Sequence, residues 1–322
     1  MREKLSELKS ILGNTQGYSY LGMSVFLLTN EQEDYKIYRL NFQSNEKFKD
    51  ALKESVLNID NDIQIYYYPE CIKPNITQEV SYIKLEDIPI YNKIIERIDD
   101  FDSTAVLNNR NIESIINTSK SYVVKYAYSK GNEDGEIFAF YKMTASSFYK
   151  REKMMFGFDN EDGDSLKEIK TNYLKFDNKL VGLAIGDYMF IVDGVGFGRL
   201  FKYDEHINKA SQNVLQKINE KSIISNFDEL ESYCNGSKIM KSKLYQIQQK
   251  GTADRYGIDE FKAMKERCGS KLKLKITDND KIEILLDDKR KSIDHLLRVL
   301  NNEGAETIID GNPIFAEKKV LL

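Results

Sequence analysis

Asp310 on one predicted strand and Glu317-Lys318-Lys319 on the next form an acid plus Glu-x-Lys arrangement. In metal-dependent nucleases such carboxylates hold Mg²⁺, and the lysine, here Lys319, positions the attacking water. Seven residues separate Asp310 from Glu317, which is short for that arrangement, and Glu-x-Lys recurs by composition where 30% of the residues are charged. Asp310, Glu317 and Lys319 are a candidate catalytic set, with an ordinary charged hairpin as the alternative.

Other patterns fail on spacing. Asp193-Gly194-Val195-Gly196-Phe197-Gly198 follows a predicted strand, where clustered glycines let backbone N–H groups approach a phosphate. Arg199 stands where the third glycine of a dinucleotide loop belongs and no Lys-Ser/Thr pair follows, so the stretch reads as a glycine-rich turn leading to a helix capped by Asp204. The acidic stretch 159–164 has the composition of a calcium loop, but alignment on Gly163 puts Phe158 and Ile169 at ligand positions. His206 and His295 lack a second ligand at zinc spacing, and no serine, cysteine or threonine has nucleophile surroundings. Neither a cofactor nor a metal site is expected.

Basic residues form three groups that suit phosphate. Lys271, Lys273 and Lys275 alternate with Leu272, Leu274 and Ile276, which on a strand repeats the ammonium groups every ~6.6 Å. Lys238, Lys241 and Lys243 lie on a predicted helix near Lys250, and Lys142, Lys150, Arg151 and Lys153 are interleaved with Phe148 and Tyr149, a mixture that single strands use for charge and stacking. For each group the alternative is a solvated face, since lysines also guard sheet edges.

The elements that carry these residues follow from periodicity. The last stretch, from Ser270, reads ββαββ: strands 271–276 and 281–286, a helix with Ile293, Leu296, Leu297 and Leu300 on one face, then strands 307–309 and 314–320 around Asp310-Gly311-Asn312-Pro313. A central helical segment precedes it, with a capping-box-like start at Asn226 and a break at Gly251. Hairpins are expected at 20–42 and 122–143, the second turning at Asn132-Glu133-Asp134-Gly135, and a meander at 173–192. Helices are expected at 44–56 and from Pro89. The class is α+β, a mixed chain with antiparallel hairpins and a meander, divided into an N-terminal α+β domain, 1–117, and a second, 118–322.

The 322 residues carry a formal net charge of −4, which excludes a surface that is basic throughout. Up to Asn117 there are 13 basic against 19 acidic residues, and beyond it 34 against 32, so an anionic partner belongs to the second part. Three dispersed cysteines fit a reducing compartment, and the amphipathic start matches neither a signal peptide nor a membrane span.

From Ser121 onward the chain resembles the KwaB family of the Kiwa anti-phage defence system. The residues concerned are the hairpin Tyr122 to Met143, Tyr188-Met189-Phe190-Ile191-Val192-Asp193, Leu200-Phe201-Lys202-Tyr203, Asp287-Asp288-Lys289 to Leu300, and Ile314-Phe315-Ala316-Glu317-Lys318-Lys319. The resemblance implies a cytosolic, non-enzymatic effector that binds DNA without sequence specificity. It also implies assembly with a membrane-embedded partner, KwaA, at the inner face of the membrane, and a homo-oligomer is compatible with it. It supplies no catalytic residue, and it leaves residues 1–117 without a role. The rivals are the Mg²⁺-dependent nuclease and a protein–protein adaptor.

Overall fold

The computed structural model describes residues 1–31, 34–40, 46–59, 63–68, 79–100, 115, 118–143, 148–149, 156–159, 165–168, 173–174, 176, 178–306 and 313–315. Two compact units divide the chain, the first from residues 1–68 and 74–203, the second from 69–73 and 204–322.

The first unit is built on an eight-stranded sheet in the order β2-β1-β5-β6-β11-β12-β4-β3. The strands are β1 (Tyr18–Glu31), β2 (Asp34–Leu40), β3 (Gln64–Tyr67), β4 (Glu79–Lys84), β5 (Ser119–Lys130), β6 (Glu133–Lys142), β11 (Leu180–Ile185) and β12 (Tyr188–Ile191). Every neighbouring pair is antiparallel except β3 with β4. Short ladders join β7 (Phe148–Tyr149) to β10 (Tyr173–Leu174), and β8 (Phe156–Asp159) to β9 (Ser165–Glu168).

Both faces of the sheet are covered. Tyr122, Val124 and Tyr126 of β5 lie opposite Tyr141, Ala139 and Ile137 of β6, and they share one core with α1 (Arg2–Leu12) and α2 (Glu46–Leu57). On the other face Phe140 meets Tyr91 of α3 (Tyr91–Asp99) and Phe201 after α4 (Gly194–Leu200), with ring centroids 6.1 and 5.0 Å away. A strand clad on both sides has no polar-out positions, and all six residues of β11 are buried.

The expected boundary at Asn117 does not separate compact units. Strands from both sides of it share the sheet, with β5 paired to β1, and the break in packing comes after Tyr203 instead. The hairpin of β5 and β6 turns at Gly131 and Asn132, earlier than expected, because Gly131 supplies the positive φ of +63°. Gly135 sits within β6 under the ring of Tyr128, where a Cβ would come within 2.5 Å of ring atoms. The meander is partial: β11 pairs with β12, whereas β10 leaves it for β7. The glycine-rich segment is helical as α4, and the Asp193 carboxylate accepts from the N–H groups of Val195 and Gly196, both at 3.0 Å. That occupies the donors a phosphate would need.

The second unit contains α5 (Tyr203–Glu220), α6 (Phe227–Gly236), α7 (Lys238–Lys250), α8 (Ile258–Cys268), β13 (Leu274–Ile276), β14 (Ile282–Ile284), α9 (Lys289–Leu300), β15 (Gly304–Glu306) and β16 (Pro313–Phe315). Asp204 lies inside the first turn of α5 rather than capping it. The ββαββ order holds, and β13 with β14 and β15 with β16 make separate two-stranded sheets. Ile293, Leu296, Leu297 and Leu300 share a core with Leu230, Leu244, Phe261, Leu272, Leu274, Ile282 and Ile284. A side chain of that kind contributes roughly 1.5–3 kcal/mol when it leaves water, so the strand pair is held to α9 chiefly by burial. The α+β class is as expected.

Candidate nucleic-acid interface

Among the described residues two of the expected basic positions, Lys273 and Lys275, line a cleft beside β13 of about 460 Å³, together with Lys265, Ser270, Ile276 and Leu285 among others. Helix α8 ends at Gly269, whose φ of +55° turns the chain, and a 3₁₀ turn, Gly269–Lys271, leads toward the strand. Leu272 and Leu274 are buried and fix the segment to the core. The Leu272 carbonyl accepts from Lys265 Nζ at 2.8 Å and from Leu274 N at 2.9 Å, while Lys273 N donates to His295 Nδ1 at 3.0 Å. Burial pulls the His295 pKa below its ordinary value, which keeps that acceptor nitrogen unprotonated.

These bonds break the expected lysine ladder. A strand over 271–276 needs free backbone groups along its length, and here the groups around Leu272 are taken locally, so the strand shortens to Leu274–Ile276. Lys271 belongs to the 3₁₀ turn, Lys273 precedes the strand, and Lys275 alone lies on it, facing Glu283 across the register with Nζ 2.7 Å from Oε2. Lys273 and Lys275 are brought together around a hollow rather than along a rail, and Lys265 joins them.

The α7 group is dispersed by its partners. Residues two apart on a helix point about 200° from each other, so Lys243 faces away from Lys241. Lys238 pairs with Asp204 at 2.9 Å. Lys243 is largely buried and pairs with Asp294, whose other oxygen accepts from Arg298 Nε at 2.7 Å. Burial alone would raise the Asp294 carboxyl, yet the two cations outweigh it and hold its pKa below the usual carboxylate value. Lys250 donates to Asn301 Oδ1 at 2.8 Å. Lys241 has no ionic partner among the described residues.

Lys142 ends β6 in the first unit, half-exposed, with its backbone N bonded to Lys179 O at 3.0 Å. Lys150, Arg151 and Lys153 lie outside the described residues, as do Asp310, Glu317 and Lys319. Among the described residues no three His, Cys, Asp or Glu side chains gather as a metal site. His206 packs on the Tyr245 ring with centroids 5.5 Å apart. Lys265, Ser270 and Leu285 had no signal in the sequence, because a cleft is made by the turn at Gly269 and not by residue spacing.

A family described as Kiwa protein KwaB-like matches residues 116–310. The match ends before the stretch 314–319 that contributed to the resemblance. No curated protein and no solved structure matches the chain.

Proposed function

The chain belongs to the Kiwa KwaB-like family and is a component of anti-phage defence, and from that premise we propose that it is a non-catalytic effector that holds DNA through phosphate contacts and works with a membrane-embedded, KwaA-like partner. The observation that supports the reading is the cleft of the second unit, which gathers Lys265, Lys273 and Lys275 inside the stretch matched by the family. Contacts to phosphates carry no sequence information, so the binding is indifferent to sequence.

Association with a membrane runs through the partner in this reading; no helix among the described residues is long and apolar enough to cross a bilayer. Coexpression with the KwaA-like protein should retain the chain in the detergent-solubilised complex.

The DNA test is a salt titration of duplex binding. With about three lysines engaged, the log–log slope should be roughly −2 to −3, shrinking by about 0.9 for each contact removed. Replacing Lys271, Lys273 and Lys275 by Glu in a folded protein should abolish binding. Salt-independent binding, or unchanged binding by that variant, overturns the assignment of the cleft. DNA cut in the presence of Mg²⁺ or Mn²⁺ would return the chain to the nuclease alternative.

A further inference from the structure

The pairing around β13 determines more than the presence of charge. Thr277 N bonds Lys281 O at 2.8 Å beyond the end of the strand, and the register then runs Ile276 opposite Ile282 and Lys275 opposite Glu283. Ile282 uses its own backbone on its far side: its N donates to Ile223 O at 2.7 Å and its O accepts from Ser225 N at 2.9 Å. In an antiparallel ladder, opposed residues either exchange both bonds or turn both sets of groups outward. Ile276 therefore presents its N–H and C=O on the free edge of β13, and Ile276 is among the residues that line the cleft.

From this we infer that the cleft takes one unpaired nucleotide of a DNA strand, its base edge against the Ile276 backbone, its phosphate on Lys273 and Lys275. A donor and an acceptor side by side match the donor–acceptor edge of a base, and in duplex DNA the Watson–Crick part of that edge is already used. The hollow of about 460 Å³ has the size of a site for a small molecule and not the length of a duplex groove. Lys275 is available to the phosphate because its pair with Glu283 is exposed, and exposed ion pairs are weak. The inference rests on the DNA-binding reading of the same cleft and adds the state of the strand.

Fluorescence anisotropy on the full chain, with labelled oligothymidine and a mixed-sequence duplex of equal length, tests it. The single strand should bind about tenfold or more tightly, the scale of one well-made polar contact. Ile276→Pro removes the outward N–H without touching a ladder bond and should erase that preference. Should that variant not fold, the wild-type Ile276 amide signal in ¹H–¹⁵N spectra must still move on addition of a short oligothymidine. Equal affinity for both probes, or an unmoved Ile276 signal, overturns the inference and leaves salt-dependent DNA binding standing. Binding of neither probe overturns both.

Discussion

Lys243 and His295 look alike in the sequence, as polar residues on amphipathic helices, and the structure gives them opposite kinds of partner. Proximity along the chain groups Lys243 with Lys238 and Lys241, but its anion is Asp294, 51 residues further on, and it supports packing of α7 on α9. Sequence shows charges without their partners, so this reassignment was not legible. Lys243→Ala should lower stability by about 1–3 kcal/mol, the cost of leaving a largely buried carboxylate short of a partner, and leave the salt slope of DNA binding unchanged. A weakened slope without loss of stability would restore it to the interface. His295 makes a pH-dependent contribution. Its folded-state pKa is lowered, first by burial, then adjusted by Asp294 and Asp288, which raise it, and by Arg298 and Lys273, which lower it. The unfolded chain then binds the proton more readily, so the contribution is present above the ordinary value of 6.5 and is lost as pH falls from there through the folded pKa. Melting temperature should drop between about pH 7.5 and about pH 5 more steeply in the wild type than in His295→Gln; parallel curves would rule out His295 as the source.

Elements were legible where their signal is local. The hairpins, α3, α7 with its stop at Gly251 and the ββαββ order follow from periodicity and turn residues. What periodicity lacks is the choice of neighbour: β10 has the same strand pattern whether it joins β11 or β7, and nothing in 118–143 announces that β5 pairs with β1 about 100 residues earlier. That missing information is also why the boundary at Asn117 misled. Asn226 shows the same dependence on a distant neighbour. Its position before α6 fits a cap, yet its side chain makes no cap bond; Nδ2 donates to Ile284 O and Oδ1 accepts from Ile284 N, both at 2.9 Å. The amide thus stands in for one more strand residue beside β14, continuing the parallel bridge of Ile224 with Ile282. Asn226→Ala removes both bonds and leaves the Ile284 backbone unsatisfied, a loss of about 2 kcal/mol by denaturant titration, whereas a simple cap deletion would cost about 1 kcal/mol. Gly182→Ala addresses the sheet: its Cβ would lie 2.9 Å from the Phe190 carbonyl, a backbone atom that cannot move without opening β11 from β12. It should destabilise the first unit far more than an exposed glycine substitution such as Gly236→Ala, where nothing stands within 4 Å.

At the scale of the molecule, the charge balance constrains how DNA could be held. Residues 204–322 carry 21 basic against 20 acidic side chains, too even for long-range steering, so attraction must be local to the few lysines whose partners are weak or absent. That is consistent with a small salt slope and inconsistent with a protein that coats a duplex. One cluster of the second unit's buried side chains is drawn from residues 214–300, and the cleft is lined from residues 265–285. A fragment of residues 204–322 should therefore melt in one cooperative transition and bind oligothymidine with the affinity and salt slope of the full chain. A folded fragment that fails to bind would show that lysines of the first unit, Lys142 foremost among those described, supply the phosphate contacts. The fragment's stability and its binding can be measured independently, and the location of the interface then follows from which of the two survives the cut.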